Sequence, residues 1–259
     1  MKKIIAAIFI LMAITSDIFA QGWGTEIGMN YAYTAPLGSM QQNIRQGHGV
    51  TLNIGKSTPS KRFAVGLELQ YTGYGYDKSM QQLDMPDGTT ANMDVTVSNS
   101  FVNFMAYGRS YLLTEGKFLP YVTVKGGYSH YATDLNIYDP NEFDSCAPVE
   151  SEILQKDGTM VGSIGAGFRL DFSSIFRNAR PDRFYIDFNT SVSQGGTVRY
   201  MNTDAPDNHP ANHDATDAVQ AEFVNTQTQV YHTHHVGTLY TSPVQLMDFR
   251  LGAFLTLGK

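Results

Sequence analysis

Residues 247–258 read MDFRLGAFLTLG, and their side chains alternate without a break. Phe249, Leu251, Ala253, Leu255 and Leu257 fall on one face, and Arg250, Gly252, Phe254, Thr256 and Gly258 on the other. Successive side chains of a β-strand point to opposite faces, so this stretch is a strand with one apolar wall and one largely polar or small wall. A soluble sandwich also produces such a strand. The decision therefore rests on whether the pattern recurs.

It recurs along the chain. Residues 62–74 set Phe63, Val65, Leu67, Leu69 and Tyr71 against Ala64, Gly66, Glu68, Gln70 and Thr72. Residues 159–172 set Ile164, Ala166, Phe168, Leu170 and Phe172 against Ser163, Gly165, Gly167, Arg169 and Asp171. Further strands are predicted at 25–33, 47–56, 119–136 and 183–201, the last with a bulge at Gly195 and Gly196. Residues 91–113 form a long strand whose parity stays open between 101 and 107, and the final strand begins near His235. The connections 57–61, 114–118 and 173–182 are short, whereas those after the first, third, fifth and seventh strands are long, the last spanning roughly 202–234.

Apolar faces of this length cover the nine to eleven residues that a tilted strand needs to cross a bilayer. The predicted fold class is therefore all-β: an eight-stranded antiparallel transmembrane β-barrel with short periplasmic turns and long extracellular loops. Aromatic residues cluster at both strand ends, as interfacial girdles do. Phe63, Tyr111, Phe118, Tyr121, Phe172, Phe176 and Phe184 are assigned to the periplasmic rim, and Tyr31, Tyr33, Tyr71, Tyr74, Tyr76, Tyr128 and Tyr131 to the outer one.

The N-terminus fits that destination. Lys2 and Lys3 precede an apolar run that ends at Ile18, Phe19 and Ala20, which reads as a secretory signal peptide over residues 1–20 and a barrel domain over 21–259. Nothing after Gln21 is long and apolar enough for a transmembrane helix. The composition favours strands, with 15 Tyr, 15 Phe and 24 Gly and only 16% charged residues. The single cysteine, Cys146, cannot form an intramolecular disulfide. A closed barrel needs none, because closure satisfies the backbone hydrogen bonds.

With these patterns in hand, the chain resembles the small eight-stranded outer-membrane barrels of Gram-negative bacteria, the group typified by OmpA, OmpX and OmpW. The resemblance covers nearly all of residues 21–259 and is one of pattern. It departs at the end, since those families commonly finish on an aromatic residue and this chain finishes Leu257, Gly258, Lys259. The location it implies is the bacterial outer membrane.

Charge placement is ordered. Lys56, Lys61, Arg62, Lys117, Arg177, Arg180, Arg183 and Lys259 fall in the short turns or at the C-terminus. Arg45, Lys78 and Lys156 fall in the long loops, amid acids such as Asp77, Asp84, Asp139, Glu142, Asp144, Asp204, Asp207, Asp214 and Asp217. Acidic loops are ordinarily solvated surface, and a divalent cation bridging them to lipopolysaccharide phosphates is the sharper reading. An acidic exterior argues against nucleic acid as a partner. Glu26, Glu68, Asp187 and Asp248 share the polar strand faces with Arg109, Lys125, Arg169 and Arg250. An eight-stranded barrel is just wide enough to be filled by side chains, so these eight residues are expected to form a lumen ion-pair network, with Arg250 facing Glu26 and Glu68.

Candidate chemistry is sparse. His209, His213, His232 and His234 are weak metal candidates in the last long loop, because no spacing among them matches a known site and Pro210 interrupts the first pair. Ser129 and His130 are neighbours, but alternation puts them on opposite faces. Gly162, Gly165 and Gly167 lie within a strand with no helix after them, so they are small strand residues rather than a phosphate loop. The expected role is non-enzymatic and without a cofactor: envelope integrity, surface interaction, or a subunit of an envelope assembly, with outer-membrane lipid, lipopolysaccharide and envelope proteins as partners. A narrow channel for small or hydrophobic solutes and an outer-membrane lipid-modifying enzyme or protease are the alternatives.

Overall fold

The computed structural model describes residues 24–84, 90–139, 148–172, 183–203, 215–224 and 231–257, with backbone alone for 81–84, 90–91, 215–224 and 231–236. The predicted signal peptide, Cys146, Phe176, His209 and His213 lie outside the described residues. The elements in chain order are β1 (Gly24–Pro36), α1 (Gly38–Asn43), β2 (Gly47–Ser57), β3 (Phe63–Asp84), β4 (Thr90–Tyr111), β5 (Phe118–Tyr138), β6 (Glu150–Asp171), β7 (Phe184–Asn202), β8 (Ala215–Val224) and β9 (Tyr231–Leu257). Each strand from β1 to β6 pairs antiparallel with the next, β7 pairs with β9, and β9 returns to β1. The closing ladder runs from Thr25 opposite Leu257 to Pro36 opposite Leu246. Eight strands therefore form a closed barrel. β8 lies outside it, paired to the first part of β9 alone.

Alternation sorts the side chains as a membrane requires. Ile27, Met29, Val50, Leu52, Ile54, Val65, Leu67, Leu69, Val122, Val124, Ile164 and Leu251 stand exposed on the outer wall. An apolar wall that faces outward all round a closed barrel is matched by hydrocarbon rather than by water. On β3 it runs from Phe63 to Tyr71, nine residues, which is the span of a tilted transmembrane strand. The open parity of β4 resolves with Phe101, Asn103, Met105, Tyr107, Arg109 and Tyr111 inward and Phe104 outward.

The girdles are real but smaller than expected. Phe63, Phe118 and Phe184 are exposed at the turn end, and Phe168 stacks between Phe118 and Phe188 at ring separations of 5.2 and 5.4 Å. Tyr31, Tyr71 and Tyr128 are exposed at the loop end. Tyr111, Tyr121, Tyr74 and Tyr131, however, are buried inside the barrel. Tyrosine serves either place, because its ring packs and its hydroxyl bonds. Only strand parity separates the two.

Beyond the apolar wall, β3 and β6 continue as strands over residues 75–84 and 150–158, where long loops were expected, and pair with the extended β4 and β5. β3 and β4 stay paired up to Asp84 opposite Thr90, and β5 and β6 up to Ile137 opposite Glu150, each ladder with one register shift on the way. Tyr74 keeps the inward face of Gln70 and Thr72, and a bulge between Gly73 and Gly75 turns Tyr76 outward. Met93, Val95, Val97, Leu135 and Ile137 form a small buried cluster in this extension, with Leu154 packed against it. The stretch taken as one loop, 202–234, contains β8. The ladder between β7 and β9 skips Gly195 and Gly196, the position of the expected bulge.

The wall has a seam between β6 and β7. The β6–β7 ladder stops at Val161 opposite Gly195. Above that point side chains bridge the two strands: the Arg199 N–H donates to Asp157 Oδ2 at 2.8 Å, and Gln155 Nε2 donates to the Arg199 carbonyl at 3.0 Å.

Candidate functional site

The inward faces bring all eight predicted charged residues into the barrel, and every one of them is buried. They sort into two layers. Nearer the turn end, Arg169 Nη1 on β6 lies 3.0 Å from Glu26 Oε2 on β1, and its Nε lies 3.3 Å from Asp187 Oδ1 on the neighbouring β7. Asp187 also accepts from the Tyr121 hydroxyl at 2.9 and 3.0 Å. Arg109 has no carboxylate partner among the described residues. Its guanidinium instead lies 4.3 Å from the Tyr121 ring centre and 5.0 Å from that of Phe254, and donates to the Tyr111 hydroxyl at 3.4 Å. Arg169 approaches Phe254 at 3.9 Å, so one ring is shared by two guanidiniums.

The second layer lies deeper. Glu68 on β3 takes Lys125 Nζ at 2.8 Å and Arg250 Nη1 at 2.6 Å. Arg250 Nη2 reaches Asp248 Oδ2 at 3.2 Å and donates to Gln70 Oε1 at 2.8 Å. Gln70 then binds the layer together: its Nε2 donates to Asp248, Thr34 and Thr72, and its Oε1 also accepts from Asn103. Thr34 donates to Asp248 at 2.5 Å. Each layer holds two cations and two carboxylates, which is the arrangement that makes buried charge tolerable. One expectation needs correction. Arg250 meets Glu68 but not Glu26, which sits in the other layer with Arg169.

Above the ionic layers an aromatic and aliphatic cluster, which the polar-lumen expectation did not include, fills the interior beside buried polar residues such as Asn99, Thr133 and Ser242. Tyr74, Phe101, Tyr131, Tyr200 and Tyr240 cluster with Met40, Ile44, Met105, Val161, Val198, Val244 and Leu246. Neighbouring rings sit 5.2 to 6.4 Å apart, the contact range of aromatic packing. The connection between β1 and β2 seals this plug. α1 drops Met40 and Asn43 into it, where Asn43 Nδ2 donates to the Tyr200 hydroxyl at 2.9 Å and the Gln245 N–H points at Met40 Sδ. Leu37 N–H donates to the Gln245 carbonyl at 2.8 Å, pinning the segment to β9.

Tight filling also explains a pair of glycines. Gly55 and Gly66 face each other across β2 and β3, and the Tyr107 ring lies over both. A Cβ on Gly66 would stand 2.7 Å from Tyr107 Cζ.

The other candidates stay apart. Ser129 is buried inside and His130 exposed outside, so they form no dyad. His232 and His234 are backbone positions on β9, opposite Phe223 and Ala221 of β8. Gly162, Gly165 and Gly167 are strand residues of β6. Sequence reasoning missed Gln70, Phe254 and the aromatic plug as parts of the lumen. Gln70 and Phe254 sit on inward faces already assigned, and that parity was the available signal.

No protein-family description matches the chain, and no curated protein matches it. Among solved structures it is similar to Neisserial surface protein A, at 8% identity and a TM-score of 0.46, covering 91% of this chain and 97% of that one. It is also similar to a major outer membrane protein from Thermus thermophilus, at 11% identity and a TM-score of 0.42, covering 91% and 99%. The attachment invasion locus protein Ail of Yersinia pestis follows at 12% identity and a TM-score of 0.38, with the same coverage. Such distant likenesses add nothing to the argument, which rests on the closed ladder and the outward apolar wall. On those two features, the chain is an eight-stranded transmembrane β-barrel of the outer-membrane type.

Proposed function

We propose that the chain is a non-conducting, non-enzymatic barrel that anchors a β-rich extension at the bacterial surface. The observation that supports this reading is the filling of the lumen: two ionic layers and an aromatic plug succeed one another along the barrel axis. A hydrated ion crossing it would have to break buried ion pairs and part a packed aromatic cluster. The strands of β3 to β6 meanwhile outrun the apolar wall and form a platform for surface contacts. Outer-membrane lipid and lipopolysaccharide are the nearest partners. Tyr31, Tyr71 and Tyr128 meet them at headgroup level, where Tyr31 shares a 2.5 Å hydrogen bond with His48.

Reconstitution into planar lipid bilayers tests the proposal. A folded, inserted barrel is expected to leave the bilayer silent. Reproducible conductance steps would establish the narrow-channel alternative instead.

A further inference from the structure

The outer wall is not uniform. Along the outward face of β4, Phe104 is followed by Ala106, Gly108 and Ser110, whereas β3 and β5 present large residues on either side. A groove of about 330 Å³ results near the turn end, with Gly108 on its floor and Phe63, Val65, Ser110, Val122 and Val124 around it. The strands flanking β4 stand roughly 10 Å apart, twice the spacing of paired strands, so one hydrocarbon chain laid along Gly108 touches both walls.

The barrel itself does not require the small residues. Among the described residues, a Cβ on Gly108 would meet only Val124 Cγ2, at 3.8 Å, and one on Gly126, opposite Ala106, would meet nothing within 4 Å. Gly66 and Gly127 differ, since a Cβ there would stand 2.3 and 2.0 Å from a backbone oxygen. A glycine inside a strand weakens it and, where its own chain does not crowd it, marks the close approach of another molecule.

Charge marks the turn end of the groove. Arg62 precedes Phe63, and its carbonyl accepts the Tyr111 N–H at 2.9 Å, which sets it beside Ser110. Lys117 lies in the turn from β4 to β5, with Glu115 as the acid of the same turn. Arg62 and Lys117 are exposed, and no described carboxylate pairs with either. Leu112 and Leu113, exposed just past β4, carry the apolar surface to the level of these cations. An apolar groove that ends at a guanidinium complements an acyl chain joined to a phosphate. The short turns lie on the periplasmic side, where the source of such a molecule is a phospholipid.

We infer that the groove over Gly108 binds one phospholipid of the periplasmic leaflet, its acyl chain against Gly108 and its phosphate at Arg62. The inference rests on the reading of outer-membrane lipid as a partner. It is independent of conduction, because the groove lies on the outer wall.

The test incubates the full chain, folded in detergent and verified by its heat-dependent gel shift, with phosphatidylethanolamine or with diacylglycerol of the same chains. The mass of the intact complex is then measured. The protein is expected to retain one phosphatidylethanolamine and several-fold less diacylglycerol. Gly108→Leu should abolish retention without disturbing the barrel, since its side chain enters open space. Arg62→Gln should weaken retention about three- to fivefold, the scale of one exposed charge contact. Ala253→Leu enlarges an outward residue of β9, four strands away around the barrel, and should change nothing. Equal retention of both lipids, unchanged retention in Gly108→Leu, or equal loss in Ala253→Leu would overturn the inference. So would a doubled mass that Gly108→Leu abolishes, which would assign the groove to a second copy of the chain. Folded protein that retains no phosphatidylethanolamine overturns the site alone, whereas failure to insert into lipid vesicles overturns the partner reading with it.

Discussion

Replacing Arg250 by Leu is the most demanding test of the packed lumen. Arg250 is buried and holds three partners: Glu68 at 2.6 Å, Gln70 at 2.8 Å and Asp248 at 3.2 Å. Breaking a buried ion pair by removing one side costs about 3–5 kcal/mol, because the remaining charge is left uncompensated. The structure places this case at the lower end. Glu68 keeps Lys125 at 2.8 Å, and Asp248 keeps the Thr34 hydroxyl at 2.5 Å and Gln70 Nε2 at 3.2 Å. The expected loss is therefore about 3 kcal/mol, a large fraction of the roughly 5–15 kcal/mol that holds a domain together.

Urea titration of the barrel in lipid vesicles, followed by circular dichroism and by the heat-dependent gel shift of folded barrels, measures that loss. Adding Asp248→Asn to Arg250→Leu should restore about 1 kcal/mol, since the orphaned charge goes with it. The variant should also stay silent in planar bilayers, because the aromatic plug is untouched. A loss below about 1 kcal/mol would refute the ionic bookkeeping of the layer, where breaking such a pair costs several times more. Conductance steps in this variant would refute the plug.

Three other perturbations check separate parts of the barrel. Gly66→Val should cost about 1–3 kcal/mol in the same titration, the range for overpacking, because its Cβ would stand 2.3 Å from the Ile54 carbonyl oxygen and 2.7 Å from the Tyr107 ring. Met40→Ala removes a fully buried side chain from the plug and should cost about 2–3 kcal/mol, with a smaller effect showing that α1 does not seat there. Asp157→Ala should accelerate hydrogen exchange at the Arg199 amide while leaving the Ile164 and Val192 amides protected; unchanged exchange at Arg199 would mean that the seam is not held by this side chain.

Much of the barrel is legible in the amino-acid sequence, and the reason is physical. In 247–258, 62–74 and 159–172, lipid on one side and a narrow lumen on the other impose opposite demands at every step, so the alternation is clean. The charged lumen is legible for the same cause: a strand that shows Leu67 and Leu69 to lipid must turn Glu68 and Gln70 inward. Legibility fades where that contrast fades. Residues 75–84 and 150–158 lie above the apolar wall, carry polar groups on both faces, and resemble loops although they are strands. β8, with the mixed sequence ATDAVQAEFV, gives no alternation to follow.

The upper lumen failed differently. Tyr74 and Tyr131 were assigned to a girdle because the residue type fits there, and the bulge at Gly73 to Gly75 hides the true parity of the β3 residues beyond it. Arg250 shows a limit of another kind. Its inward face follows from alternation, whereas its choice of Glu68 over Glu26 depends on the stagger between strands far apart in sequence.

The ladder between β1 and β9 has a consequence for the timing of assembly. Those strands join the two ends of the described chain, from Thr25 opposite Leu257 to Pro36 opposite Leu246. Contacts so distant in sequence carry the highest entropic cost and form late. Until β9 arrives, β1 and β7 are both open edges, Glu68 has only Lys125, and the plug lacks Tyr240, Val244 and Leu246. One strand thus completes the hydrogen-bond cylinder, the ionic layer and the seal in a single event. A chain that lacks β9 loses the closing ladder, the Arg250 contacts and this part of the plug together.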